Sequence, residues 1–147
     1  KIEFPDDTLT VTKCLVDGKD MYLSDYISEN GIDTQLPLVT DYNGALFNVS
    51  IKSISKENKT VDLYAPVFAG KEYRFASPVE DYAAAFAEHL QGFEDVIPLF
   101  SCNCILNYLY GKLEGKSTPP FTGPVTFGEI AYQLLNQTLV YAVVADN

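Results

Sequence analysis

Three short polar segments hold the side chains that could do chemistry in this chain. The first is Ser101-Cys102-Asn103, which follows an apolar run and precedes a predicted helix. A helix that begins between Ser101 and Cys104 points free backbone N–H groups and the positive end of its dipole at the sheet edge, where they can hold a carboxylate. Ser101 and Asn103 either share these contacts with a ligand or simply cap the helix.

Glu129 is the second candidate. If residues 125–129 form a strand, Glu129 shares a face with Val125 and Phe127, and a carboxylate on an apolar face must find donors or become protonated. A ligand ammonium is one such donor. Alternatively, the strand ends at Gly128 and leaves Glu129 in water.

The third segment is Asn136-Gln137-Thr138, which begins the last predicted strand and lies near Glu129 if the two strands pair. Together the segments can recognise a zwitterion, with N–H groups for its carboxylate and Glu129 for its amine. The predicted ligand-binding residues are Ser101, Cys102, Asn103, Glu129, Asn136 and Thr138.

Other chemistry has little support in the sequence. The single histidine, His89, is predicted on a helix surface, and nothing places a nucleophile beside it. A zinc site needs four ligands, and only Cys14 and His89 could join the pair Cys102 and Cys104. The glycines form no phosphate-binding motif. We therefore predict no catalytic residue, metal or cofactor and no enzymatic activity, although a carboxylate mechanism through Glu129 stays open.

Composition limits the possible partners and the cellular location. The 147 residues are 47% apolar and carry a net charge of -10, which opposes binding to nucleic acid or anionic lipid. No apolar run reaches the 18 residues of a membrane-spanning helix. Three cysteines are too few for a disulfide framework, and the chain begins without a charged and then apolar leader. We expect a cytoplasmic protein.

Apolar periodicity predicts an α+β fold, with a mainly antiparallel sheet and two or three helices packed against it, in one domain over residues 1–147. In the first half it predicts a strand from Leu9 to Cys14, a turn at Asp17-Gly18, a helix ending at Gly31, and a hairpin whose return strand contains Val61 to Val67.

In the second half, Ser77 precedes Pro78 and Glu80, a spacing that predicts a helix start. Gly92 is predicted to end this helix. Residues 96–100 are predicted to be a short buried strand. The final strand, Thr138 to Ala145, is apolar on both faces, so we expect both faces to be covered.

The same three segments resemble the C-terminal FIST domain, named for F-box and intracellular signal transduction. The similar stretches are Phe100-Ser101-Cys102 entering a helix, Thr126-Phe127-Gly128-Glu129-Ile130, and Asn136-Gln137-Thr138-Leu139. The resemblance implies a bacterial sensory domain for small ligands such as amino acids, with an N-terminal FIST half or a signalling output domain as partner. The family often has an arginine soon after Ser-Cys, where this chain has Asn103 and Cys104.

The sequence therefore predicts a small-ligand-binding sensory domain of a signal transduction protein, with amino acids or small carboxylates as ligands. The alternative is a protein–protein interaction module that takes no small ligand and docks through an exposed apolar surface.

Overall fold

The computed structural model describes residues 1–131 and 133–144, which divide into two units, Lys1–Ser77 and Pro78–Asn147. The described residues form an α+β structure with mostly antiparallel strands and three helices. This confirms the fold class predicted from the sequence.

Nine strands and one helix build the first unit. The order along the chain is β1 Ile2–Glu3, β2 Thr8–Val11, β3 Lys13–Val16, β4 Lys19–Tyr22, α1 Leu23–Glu29, β5 Leu38–Tyr42, β6 Ala45–Val49, β7 Ile51–Ser55, β8 Thr60–Val67 and β9 Glu72–Phe75. They form a six-stranded sheet, β4-β3-β1-β9-β5-β6, and a three-stranded sheet, β2-β8-β7. All pairs are antiparallel, and short hairpins connect three of the seven neighbouring pairs, namely β3-β4, β5-β6 and β7-β8.

Strict alternation places one face of β8 in the core of this unit. Val61, Leu63, Ala65 and Val67 are all buried, and they pack with apolar residues of β1, β3 and α1. The predicted hairpin and its return strand are therefore confirmed.

Two-residue turns set the register of two hairpins. Asp17 and Gly18 have φ values of 48° and 79° and connect β3 to β4, as the sequence predicts. Asn43 and Gly44 have φ values of 58° and 92° and connect β5 to β6 in the same way. Positive φ at both positions matches the twist of the flanking strands, and Asn-Gly and Asp-Gly adopt it most readily.

The described part of the second unit has two helices and short strands. Its elements are α2 Tyr82–Gln91, β10 Phe100–Cys104, α3 Ile105–Tyr110, β11 Val125–Thr126, β12 Glu129–Ala131, β13 Gln133–Leu135 and β14 Leu139–Ala142. The first of its sheets has the order β11-β10-β14, with β10 parallel to β11 and antiparallel to β14. The second is the antiparallel pair of β12 and β13.

The predicted start of the first helix in this unit is wrong. The helix begins at Tyr82, and the side chain of Asp81, not of Ser77, caps it by accepting a hydrogen bond of 2.9 Å from the Ala84 N–H. Asp and Ser cap helices about equally well, so the sequence alone does not choose between them. Val79 would gain little from a longer helix, since it is 51% exposed. The predicted end at Gly92 is confirmed.

Two predicted strands also differ from the structure. Residues 96–99 form no strand, and Ile97 and Leu99 are 88% and 75% exposed. Pro98 lacks the N–H that a strand would need there. The last strand ends at Ala142, with Val143 and Val144 exposed, and Ala145 lies outside the described residues. The expectation that both faces are covered is wrong, because Leu139 and Val140 are only half-buried and Tyr141 and Ala142 are exposed.

We predict that Tyr73→Phe destabilises the first unit by about 1–2 kcal/mol. Tyr73 is fully buried, and its hydroxyl accepts a hydrogen bond of 2.9 Å from the Phe68 N–H, which the variant leaves without this partner. Urea denaturation followed by circular dichroism measures the change. Tyr64→Phe is the matched control, because Tyr64 is 41% exposed. Equal midpoints for the two variants would contradict the prediction.

Candidate functional site

The segment Ser101 to Cys104 lies in strand β10, not at the start of a helix. Helix α3 begins at Ile105 and has Cys104 as its N-cap, without a side-chain capping bond. Ser101 and Asn103 therefore do not cap this helix, so that alternative is wrong, whereas the carboxylate site at the helix N-terminus stays a prediction. Polar residues of low strand propensity adopt the extended form here because β10 pairs on both sides.

Strand alternation divides the predicted site residues between two faces of this sheet. Ser101 and Asn103 point to one face of β10, and Cys102 and Cys104 point to the other. Directly paired residues share a face. We call the face of Asn103 the cavity face; it also carries Val125 and Leu139 of the neighbouring strands. The opposite face is the Glu129 face; it carries Thr126, paired with Cys104, and Val140, paired with Cys102.

Glu129 is a buried carboxylate held by two threonine hydroxyls. Its exposure is 4%, and its Oε1 accepts a hydrogen bond of 2.5 Å from Thr126 Oγ1. Its Oε2 accepts one of 2.9 Å from Thr138 Oγ1. Because Thr126 belongs to β11 and Thr138 immediately precedes β14, the carboxylate ties together the two chain segments that flank β10.

The two threonine hydroxyls confirm that the carboxylate finds donors, but neither arrangement predicted for the strand around Glu129 is observed. Glu129 does not share a face with Val125 and Phe127, which are 46% and 93% exposed, and it is not left in water. Gly128, with a φ of 146°, interrupts the strand and turns Glu129 inward. A β-carbon at Gly128 would also lie 3.0 Å from the backbone oxygen of Leu135, so glycine is required for both reasons.

Asn136 and Cys102 lie beside this buried carboxylate. Asn136 is 1% exposed, and its Nδ2 would be 3.7 Å from a β-carbon at Gly128. Burial raises the pKa of the Cys102 thiol, and the nearby Glu129 carboxylate and Cys104 thiol raise it further. Cys102 therefore stays a neutral thiol at neutral pH and is a weak nucleophile.

The cavity face borders a cavity of about 290 Å³. Its wall opposite β10 is the segment from Leu113 to Gly123. Gly123 lies so close to Ser101 that a β-carbon at Gly123 would be 1.8 Å from the backbone oxygen of Ser101. The lining residues are Ser101, Cys102, Asn103, Tyr108, Leu113, Lys116, Ser117, Thr118, Phe121, Thr122, Gly123, Val125 and Leu139.

Lys116 gives this cavity a positive charge in an acidic part of the chain. Residues 78–147 contain eight Asp or Glu and two Lys, Lys112 and Lys116. Lys116 is exposed and lines the cavity, and the hydroxyl-bearing residues Ser101, Ser117 and Thr122 are also among the lining residues. An ammonium and hydroxyl donors around a small space are suited to a carboxylate or another small anion.

Asn107 is a polar residue near the cavity that sequence reasoning missed. It is 1% exposed, and its Oδ1 accepts a hydrogen bond of 2.6 Å from Tyr82 Oη. Its Nδ2 donates a hydrogen bond of 2.7 Å to Asn103 Oδ1. The available signal is an asparagine four residues after Asn103 within the apolar helix α3.

The structure brings some of the predicted residues together and separates others. Glu129, Thr138, Cys102 and Asn136 gather around the Glu129 face, whereas Ser101 and Asn103 project from the other side of β10. The cavity lining includes Ser101, Cys102 and Asn103 but not Glu129, Asn136 or Thr138. The six residues thus do not form the single zwitterion pocket that the sequence suggested.

Residues 1–131 and 133–144 offer no grouped metal ligands and no membrane-spanning helix. In this part of the chain no three His, Cys, Asp or Glu side chains are grouped so that they could hold a metal ion. No helix there is both long and apolar enough to span a membrane. His89 is exposed, as predicted, and its ring packs edge-on against Phe93.

Comparison with known proteins gives a family but no activity. Residues 1–145 match the family of unknown function DUF6976, and the chain therefore belongs to this family. No curated protein and no solved structure shows significant similarity to the chain.

We predict that Thr138→Val destabilises the second unit by about 1–3 kcal/mol, because Glu129 Oε2 loses a donor inside the protein. Thr138→Ser retains the hydroxyl, and its stability should be close to that of the wild type. Hydrogen exchange of the β10 and β14 amides, measured by NMR, reports the local free energy of opening. Equal protection in the two variants would show that the Thr138 hydroxyl does not stabilise the carboxylate.

Proposed function

We propose that this member of the DUF6976 family is a small-molecule-binding domain that holds a small carboxylate in the cavity beside β10. The observation that carries the proposal is the position of Lys116. Of the two Lys in residues 78–147, it is the one that lines the cavity, where hydroxyl groups and the Asn103 side chain surround the same space. A carboxylate can accept hydrogen bonds from all of these groups at once.

The size and walls of the cavity support a ligand of few atoms. Its volume of about 290 Å³ is at the small end of the range for ligand pockets. Leu113 and Phe121, both buried, and the half-buried Leu139 supply apolar walls for a short hydrocarbon part. The polar and apolar walls together fit a short-chain carboxylate.

An α-amino group fits this cavity less well than the carboxylate does. The predicted partner of an ammonium was Glu129, which belongs to the opposite face and is held by Thr126 and Thr138. Asn103 Oδ1 already accepts a hydrogen bond from Asn107. We therefore propose small carboxylates ahead of amino acids as the ligand class.

A sensory role in signal transduction is the wider part of the proposal, and it rests on the resemblance to the C-terminal FIST domain. In this role the carboxylate is the signal, and an N-terminal FIST half or an output domain is the partner. A cytoplasmic location suits the three cysteines, which are all unpaired thiols.

We predict that Lys116→Gln weakens the binding of propanoate about fivefold, as expected for the loss of about 1 kcal/mol from a solvent-exposed charge contact. Lys112→Gln removes the same charge from the same segment but not from the cavity lining, and should bind as the wild type does. Titrations of 15N-labelled protein followed by NMR measure these affinities. Equal weakening in both variants would point to nonspecific charge attraction, and no binding by the wild type would contradict the proposed function.

Docking of a protein partner is a second candidate function, favoured by an exposed apolar surface. Ile97, Leu99 and Phe100 are exposed, as are Val143 and Val144 near the end of β14. The Leu99 N–H donates to the Ala142 oxygen at 2.8 Å, so the two stretches adjoin. A surface of this kind on one side of an acidic chain is typical of an interaction site.

A second copy of the chain is the partner against which this candidate can be tested directly. We predict association in sedimentation velocity that strengthens with salt, because the net charge of -10 opposes it and salt screens that repulsion. Phe100→Ser should weaken it. A wild-type chain that stays monomeric at every salt concentration would contradict self-association through this surface.

A further inference from the structure

We infer that Asn107 is a positioning residue that fixes the Asn103 side chain as a hydrogen-bond donor toward the cavity, and so makes the cavity select carboxylates over amides. This inference rests on the proposed function and names the group that determines its specificity. An asparagine amide has an acceptor end and a donor end of nearly equal size. A neighbour that occupies one end therefore decides which end a ligand meets.

Tyr82 sets the orientation of the Asn107 side-chain amide. Burial raises the pKa of the Tyr82 phenol, so the hydroxyl keeps its proton at neutral pH. It donates to Asn107 Oδ1 at 2.6 Å. The ring of Tyr82 is itself confined, since it stacks on Phe86 at 5.7 Å and would be 2.7 Å from a β-carbon at Gly111. The donor at the start of the chain of hydrogen bonds is therefore held in place.

Asn107 passes this orientation on to Asn103. With Oδ1 accepting from Tyr82, Asn107 can offer only its Nδ2, which donates to Asn103 Oδ1 at 2.7 Å. Asn107 is 1% exposed, so water does not compete for these contacts. Asn103 lines the cavity, and its acceptor is engaged by Asn107. The end that remains for a ligand is Nδ2.

A hydrogen-bond donor with a fixed orientation helps the cavity to discriminate between ligands of equal shape. A carboxylate has two oxygens that can accept from Asn103 Nδ2 and Lys116 Nζ together, whereas the corresponding amide has one oxygen and must turn its NH₂ group toward one of the two donors. A site built around directed hydrogen bonds strongly rejects an analogue that cannot form those bonds. An apolar pocket discriminates less strongly between ligands that differ slightly in size. Propanoate and propanamide are matched probes, because they differ in this group alone.

The decisive variant is Asn107→Asp. An aspartate at this position still accepts from Tyr82 but cannot donate, so Asn103 must turn its Nδ2 toward it and its Oδ1 toward the cavity. We expect propanamide to bind about fivefold more tightly and propanoate about tenfold more weakly than to the wild type. The gain for a neutral probe is the diagnostic result, since the added negative charge alone weakens propanoate only. Asn58→Asp, at an exposed turn of the first unit, is the control for charge.

A measurement without ligand separates this inference from the proposed function. In the wild type the Asn103 side-chain NH₂ faces the cavity and should exchange its hydrogens with water quickly, while that of Asn107 is protected. In Asn107→Asp the Asn103 NH₂ should become protected. Tyr82→Phe, which removes the first donor and no charge, should reduce the difference between Asn103 and Asn107 if the aspartate variant does not fold.

The two arms give distinct outcomes. Unchanged propanamide affinity together with unchanged exchange at Asn103 would overturn the inference and leave Asn107 as a structural tie between α2 and β10. Exchange that changes as expected in a chain that binds neither probe would support the positioning by Asn107 and overturn the proposed carboxylate function. If Asn107→Asp prefers propanamide to propanoate and the exchange of the Asn103 NH₂ group is altered, the result supports both this inference and the proposed function.

Discussion

The alternation of side chains along β10 is the constraint on which the arrangement of the second unit depends. β10 lies between a parallel and an antiparallel neighbour, so its backbone is fixed on both sides and its side chains have no freedom to change face. The thiols of Cys102 and Cys104 must then meet the Glu129 face, and Ser101 and Asn103 must meet the cavity. A shift of one residue in this register would exchange the two sets, so that the thiols would face the cavity and Ser101 and Asn103 would face Glu129.

Fold prediction succeeds where the signals are local. The Asp17-Gly18 turn and the alternating residues of β8 each determine their own structure, because a two-residue turn fixes register and a half-buried strand needs period-two alternation. The second unit lacks such signals. Its central strand, Phe100–Cys104, is a polar sequence that is extended only because β11 and β14 pair with it, and those pairings join residues far apart in the chain.

The candidate site was predictable only in part, for the same reason. Proximity of Thr138 to Glu129 is confirmed by their hydrogen bond, although the expected pairing of the two strands is replaced by pairing of β12 with β13 and of β14 with β10. The separation of Asn103 from Glu129 depends on register, which composition does not reveal. Asn107 appears as an ordinary polar residue of α3 until its contacts with Tyr82 and Asn103 are known.

The division between the two faces also bears on the proposed binding of an anion by an acidic chain. If Glu129 lay on the cavity face, Lys116 could form an ion pair with it and would no longer be available to a ligand. Threonine hydroxyls hold Glu129 instead, so the carboxylate is stabilised without a cation. The net charge of -10 acts at long range, where salt screens it beyond about 8 Å. The proposed hydrogen bonds from Lys116 and Asn103 to the ligand would act at contact distance, where salt screens them little. Selectivity for a carboxylate can therefore be local, and it requires only that the donors in the cavity keep their orientation.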